Sequence, residues 1–169
     1  VIDTSALTFS PDSQHLLYVT HEKDGASIVV DGQRGKSHDA WGIFEPTFSP
    51  DSKQTAYIVK THIKGGEVFV VINGQEGKRF SGKKEPWVHN LTFSPDSKRI
   101  AYVVTLDNER FVVADDKEGK RYKSVGWITF SPDGSRLAYV AQAGNGKVFV
   151  VIDGNEGRQF DGAGDLVFS

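Results

Sequence analysis

The segment Phe-Ser-Pro-Asp-Ser stands at residues 9–13, 48–52 and 93–97, returns as Phe-Ser-Pro-Asp-Gly at 130–134, and begins again at Phe168 and Ser169. Intervals of about 37 to 45 residues make the chain a tandem array of one supersecondary unit of roughly 40 residues. A unit of that size buries its apolar surface only against its neighbours. Period and turn content together predict an all-β fold, a β-propeller of four-stranded antiparallel blades. Four blades are present, over about 6–38, 46–80, 90–122 and 127–160, with the first strand of a fifth at 165–169, in a single β-propeller segment.

The third copy shows the content of a unit. Residues 91–94 read as a short first strand, 95–97 as a turn, 99–105 as a second strand, 107–108 as a turn and 110–114 as a third strand, with a weaker fourth at 120–122. Pro fixes φ at the first corner of the Ser-Pro-Asp turn, and Asp bonds its own backbone at the next. Asp31-Gly32, Asn73-Gly74 and Asp153-Gly154 are two-residue hairpin signals that close third strand onto fourth. Asp115-Asp116 occupies that place in the third copy, where a different turn or some strain is expected.

Second strands read LLYV, AYIV, IAYVV and LAYVA, and third strands SIVV, VFVVI, RFVVA and VFVVI. Near-continuous apolar runs belong to sheets covered on both faces. Tyr18, Tyr57, Tyr102 and Tyr139 share one repeat position, preceded by Leu17, Ala56, Ala101 and Ala138. Alternation sends each ring toward one neighbouring blade and each smaller side chain toward the other, so the tyrosines are expected as inter-blade core with hydroxyls bonded to backbone.

An open stack of four such blades leaves an apolar face at each end, larger than soluble monomers ordinarily expose. Further blades of a longer chain, a second copy, or closure as a four-bladed ring would cover them. A segment of a larger propeller is the favoured expectation, because the strand at 166–169 has no place in a closed ring of four unless a terminal strand is exchanged. The start at Val1 rather than Met fits a processed or excerpted chain.

A net charge of −2 with interspersed signs excludes the electrostatic footprint of a nucleic-acid binder. Lys78, Arg79, Lys83 and Lys84 form the densest basic cluster, diluted by Glu76 and Glu85 into a solvated edge. No apolar run is long enough for a membrane-spanning helix and no signal peptide is visible, so no membrane insertion is expected. Without cysteine there is no disulfide, thiol nucleophile or thiolate metal site.

The motifs FSPDSKRIAYV (93–103) and FSPDGSRLAYV (130–140), each followed by a hairpin, resemble the WD-repeat-like blades of the TolB propeller and of propeller domains attached to prolyl-oligopeptidase-type enzymes. The resemblance spans the whole chain. It implies the propeller fold, a bacterial periplasmic or extracellular setting, and a role in holding partners or gating access. One departure is the Asp-Gly-x-Glu-Gly sequence followed by polar residues and an aromatic, as in 153–160, which brings no transferable function.

Catalytic and cofactor signals are missing. His15, His21, His38, His62 and His89 fall in unequal repeat positions without metal-ligand spacing. His15 occupies the exposed turn-flanking slot held by Gln54, Arg99 and Arg136 in other copies. The repeated serines belong to turns, and no nucleophile elbow lifts one of them. Asp115, Asp116 and Glu118 lack calcium-loop spacing. No cofactor, no metal and no enzymatic activity are expected.

Variation between copies concentrates in the connections from each fourth strand to the next first strand, over 39–46, 81–90, 123–126 and 161–165. All three tryptophans, Trp41, Trp87 and Trp127, lie in or just after them. In a propeller these connections share a face with the loops between second and third strands. Loops on a rigid frame are where binding resides. Trp41, Phe44, Trp87 and His89 are therefore the candidate partner-binding residues, with wedge packing between blades as the competing role. Trp127 is expected to be packed and Trp87 exposed. The function expected is a non-catalytic scaffold for macromolecular binding or assembly, through a protein partner or self-association. The alternatives are a substrate-gating propeller portion of a larger hydrolase and a glycan-binding propeller.

Overall fold

The computed structural model describes residues 2–23, 25–61 and 66–162, with side chains from residue 7 onward. Strands β1 (Ile2–Phe9), β2 (Leu16–Glu22), β3 (Gly25–Val30) and β4 (Gln33–Arg34) form the first sheet. The second contains β5 (Ala40–Phe48), β6 (Thr55–Thr61), β7 (Val68–Ile72) and β8 (Gln75–Glu76). The third is built from β9 (Trp87–Phe93), β10 (Ile100–Leu106), β11 (Glu109–Ala114) and β12 (Lys117–Glu118), and the fourth from β13 (Ser124–Phe130), β14 (Leu137–Gln142), β15 (Val148–Ile152) and β16 (Asn155–Glu156). Each sheet is antiparallel in sequence order, and no helix occurs among the described residues. The predicted strand at 166–169 and His62 lie outside the described residues.

First strands begin earlier than the repeat motif indicates, at Ala40, Trp87 and Ser124, and take in much of what reads as connecting loop. A β-bulge lets them do so. The register skips between Phe44 and Thr47, between His89 and Thr92, and between Gly126 and Thr129. Glu45, Asn90 and Trp127 sit in these bulges with φ of 47°, 56° and 46°. The fourth strands also differ from expectation. They follow the two-residue hairpin turn at once, as Lys117–Glu118 follows Asp115-Asp116 in the third blade, and residues 120–122 contribute only an isolated bridge from Tyr122 to Arg110.

The turns explain themselves at the backbone. Asp115 (φ 49°) and Asp116 (φ 62°) adopt the left-handed pair that Asp31 and Gly32 make with φ of 49° and 78°. The third hairpin thus keeps the same turn with Asp in the position where Gly is free of steric cost. In each Ser-Pro-Asp turn the first Ser donates its hydroxyl to the Asp carboxylate, as Ser49 Oγ does to Asp51 Oδ1 at 2.6 Å. The last residue of the turn is left-handed, and its hydroxyl ties blade to blade. Asp12 N donates to Ser52 Oγ at 3.1 Å and Asp51 N to Ser97 Oγ at 2.9 Å. At the next junction the turn ends in Gly134, which has no hydroxyl, and Arg99 Nη1 instead donates to the Ser135 carbonyl at 2.7 Å.

The core lies between blades. Leu17, Val19 and Ile28 meet Tyr57, Val59 and Phe69 across the first junction. Ile58, Val68 and Phe80 meet Tyr102, Val104 and Phe111 across the second, and Ala101, Val103 and Val112 meet Leu137, Tyr139 and Phe149 across the third. Each buried Tyr faces the preceding blade, and the residue before it faces the following one. The Tyr57 hydroxyl corrects the expectation of a backbone partner. Tyr57 shares a 3.1 Å hydrogen bond with His38 Nε2, a side chain on the fourth-strand extension of the blade before. An ion-pair rung accompanies each junction: Lys36 with Glu76 at 2.7 Å, Lys78 with Glu118, and Lys120 with Glu156 at 2.5 Å.

Candidate recognition face

Gly42 lies opposite Lys60 across the β5–β6 pair. With no side chain on Gly42, the Phe44 ring folds down over its backbone, and a Cβ there would stand 2.9 Å from Phe44 Cζ. The same gap gives the Lys60 stem a path across the sheet. Its side chain is only 8% exposed, and its ammonium lies 4.4 Å from the Trp87 ring centroid and 5.3 Å from that of Trp41. Glu85 in the following connection pairs with Lys60 Nζ at 2.7 Å. Phe44 completes the cluster, 5.1 Å from Trp87 and 5.5 Å from Trp41. The ring quadrupoles and one carboxylate together compensate a buried ammonium.

Three of the four candidate residues therefore meet, with Phe44 between two indoles from adjacent blades. His89 stands apart. It lies opposite Val103, which belongs to the core between the third and fourth blades, and is half-buried. Lys60 was missed in the sequence because, next to last in β6 and followed by Thr61, it reads as the polar end of a strand; only its position opposite a Gly marks it. Two expectations for the tryptophans are corrected. Trp127 is 52% exposed, because its positive-φ bulge turns it out of the ladder rather than into a wedge. Trp87 is half-buried under Phe44 and Lys60, and Trp41, at 58% exposure, is the open ring of the cluster.

The basic residues beside this face are occupied. Arg79 pairs with Glu67 at 2.7 Å and with Glu76 at 2.9 Å, and Lys84 Nζ donates to Asn108 Oδ1 at 3.0 Å. Those contacts hold the Glu76 carboxyl down to about 2, through hydrogen bonds from Lys36 and then Arg79. His15 Nδ1 donates to Asp31 Oδ2 at 2.6 Å in the slot where Arg99 meets Asp115 and Arg136 meets Asp153. Asp115 is committed in the same way, accepting from Ile100 N at 3.1 Å. Among the described residues no group of three or more His, Cys, Asp or Glu comes together as a metal site.

Sheets of four antiparallel strands, each packed face to face on the next in sequence order, are the blades of a β-propeller. Solved structures similar to this chain bear that out. An oligogalacturonate lyase in complex with manganese matches at a TM-score of 0.53 and 11% identity over 90% of this chain, and tricorn protease at 0.52 and 14% over 76%. TolB from Acinetobacter baumannii matches at 0.48 and 18% over 89%. No family model and no curated protein matches the chain. The chain spans 42% of that TolB. It spans 51% of the lyase and 14% of tricorn protease, a partial coverage that fits a segment of a larger propeller.

Proposed function

We propose that this chain is a non-catalytic propeller scaffold that holds a protein partner on the face carrying Trp41, Phe44 and Trp87. The observation that supports this is the cluster itself. An exposed indole rests on a rigid, half-buried aromatic layer that is locked by the Lys60–Glu85 pair. Pre-ordered aromatic anchors of this kind carry most of the energy in protein interfaces. The setting proposed is the bacterial periplasm or exterior, as the TolB-type motif implies.

A photo-reactive residue placed at position 41 captures the partner in cells, and titration of the purified pair then compares variants. Trp41→Ala is expected to weaken binding by about 2 kcal/mol while shifting stability by less than about 0.5 kcal/mol. Trp87→Ala, which opens the half-buried layer, is expected to cost about 2 kcal/mol of stability. Unaltered affinity in Trp41→Ala would remove this face as the docking site. The gating alternative predicts a nucleophile elbow in an adjoining α/β-hydrolase segment of the parent gene, and the sequence flanking residues 1 and 169 decides it.

A further inference from the structure

In the third and fourth blades the bulge of the first strand places two successive backbone N–H groups outside the ladder, that of a residue in left-handed conformation and that of the residue after it. Such a pair forms a concave donor site for an anion. In the third blade the site is filled by the chain's own carboxylate: Glu45 Oε1 accepts from Asn90 N at 3.3 Å and Oε2 from Leu91 N at 2.8 Å. In the second blade the site is incomplete, because Pro46 has no N–H.

In the fourth blade both donors exist, at Trp127 and Ile128. The residue of the preceding blade that corresponds to Glu45 is Asn90, shorter and uncharged. Between these strands lies a cavity of about 490 Å³ lined by Asn90, Arg110, Ser124, Trp127 and Ile128 among others. The Arg110 guanidinium donates to Ser124 Oγ at 3.3 Å and has no carboxylate partner among the described residues. A donor pair equivalent to the one that holds a carboxylate one blade earlier thus lies on an open groove also lined by Arg110.

We propose that the Trp127–Ile128 bulge, with Arg110, is a binding site for a carboxylate of a polypeptide, either an acidic side chain or a chain terminus. The site is independent of the Trp41 face. The test is titration of the isotope-labelled 169-residue chain, followed by amide resonances. The probes are acetyl-glutamyl-methylamide for a side chain, acetyl-alanine for a terminus, and acetyl-glutaminyl-methylamide as the neutral control. The Trp127 and Ile128 amide signals are expected to shift saturably with one or both carboxylates and not with the control; the tighter probe identifies the source. Ile128→Pro removes one donor while reproducing the backbone that Glu45-Pro46 already adopts, and Asn90→Glu supplies the internal carboxylate of the preceding junction. Each is expected to weaken binding roughly tenfold. If Ile128→Pro does not fold, Asn90→Glu decides. Absence of a saturable shift at the two amides, equal shifts with the neutral control, or affinity unchanged in Asn90→Glu would overturn the assignment.

Discussion

Single residues record what lies on either side of each blade. The ring that ends each blade is buried at His38 (5%), Phe80 (3%) and Tyr122 (5%), where another blade follows, and is 48% exposed at Phe160. Tyr57, Tyr102 and Tyr139 are buried, whereas Tyr18, facing away from the other blades, is half-exposed. The tyrosine position was legible from alternation alone; the partner of the Tyr57 hydroxyl was not, because it comes from another blade, at a position filled by His38 there and by Phe80 and Tyr122 in the next two copies. Burial outweighs the nearby Glu76 carboxylate and, with Lys36 and Arg79 close by, holds the His38 pKa below its usual 6.5. The unfolded chain therefore takes up a proton first, and the contribution of His38 to stability is present above about pH 6.5 and lost as pH falls. His38→Phe, which copies Phe80, is expected to flatten the stability profile between pH 7 and pH 5 relative to the parent, measured by denaturant unfolding. An unchanged profile would show that His38 titrates alike in both states.

At the scale of the element, the Ser-Pro-Asp turn is the part most fully written in the sequence, since Pro, Asp and a left-handed fourth residue act locally. Its inter-blade role was not visible, because the acceptor for Asp51 N is Ser97, one repeat away. Ser97→Gly keeps the turn as Gly134 does and removes the acceptor, so it should cost about 1 kcal/mol. Ser13 is exposed, and Ser13→Gly should change stability by less than about 0.5 kcal/mol, both variants being measured by denaturant unfolding. Equal losses in the two variants would contradict the tie. The same turns govern acid sensitivity. The Ser131 hydroxyl and the Ser135 amide and hydroxyl hold Asp133 down to about 2. Its contribution is present above about pH 3.8 and lost as pH falls toward 2, and Asp133→Asn should shrink that acid limb. The first strands were misjudged for a related reason: bulges at Glu45, Asn90 and Trp127 break the period of two on which strand reading depends.

For the whole molecule, the repeat period sufficed to place four blades in order, while the aromatic cluster and the carboxylate cradle depend on substitutions that break the repeat. Ion-pair rungs run from a Lys of one blade to a Glu of the next. The outer blades depart from that pairing: Arg34 stands in the acidic position of the first and pairs with Glu22 of its own blade at 2.7 Å, and Arg158 stands in the donor position of the fourth. Docking the fourth blade onto the first, in a ring or head to tail, would set Arg158 against Arg34. That exposed like-charge contact weakens such docking without preventing it. The central claim, that these are propeller blades requiring neighbours on both faces, is tested most directly by light scattering on the 169-residue chain alone. A mass above the monomer value of 18.6 kDa, from copies covering each other's outer faces, is the predicted result. A monodisperse 18.6 kDa monomer whose structure shows the four blades open would contradict it.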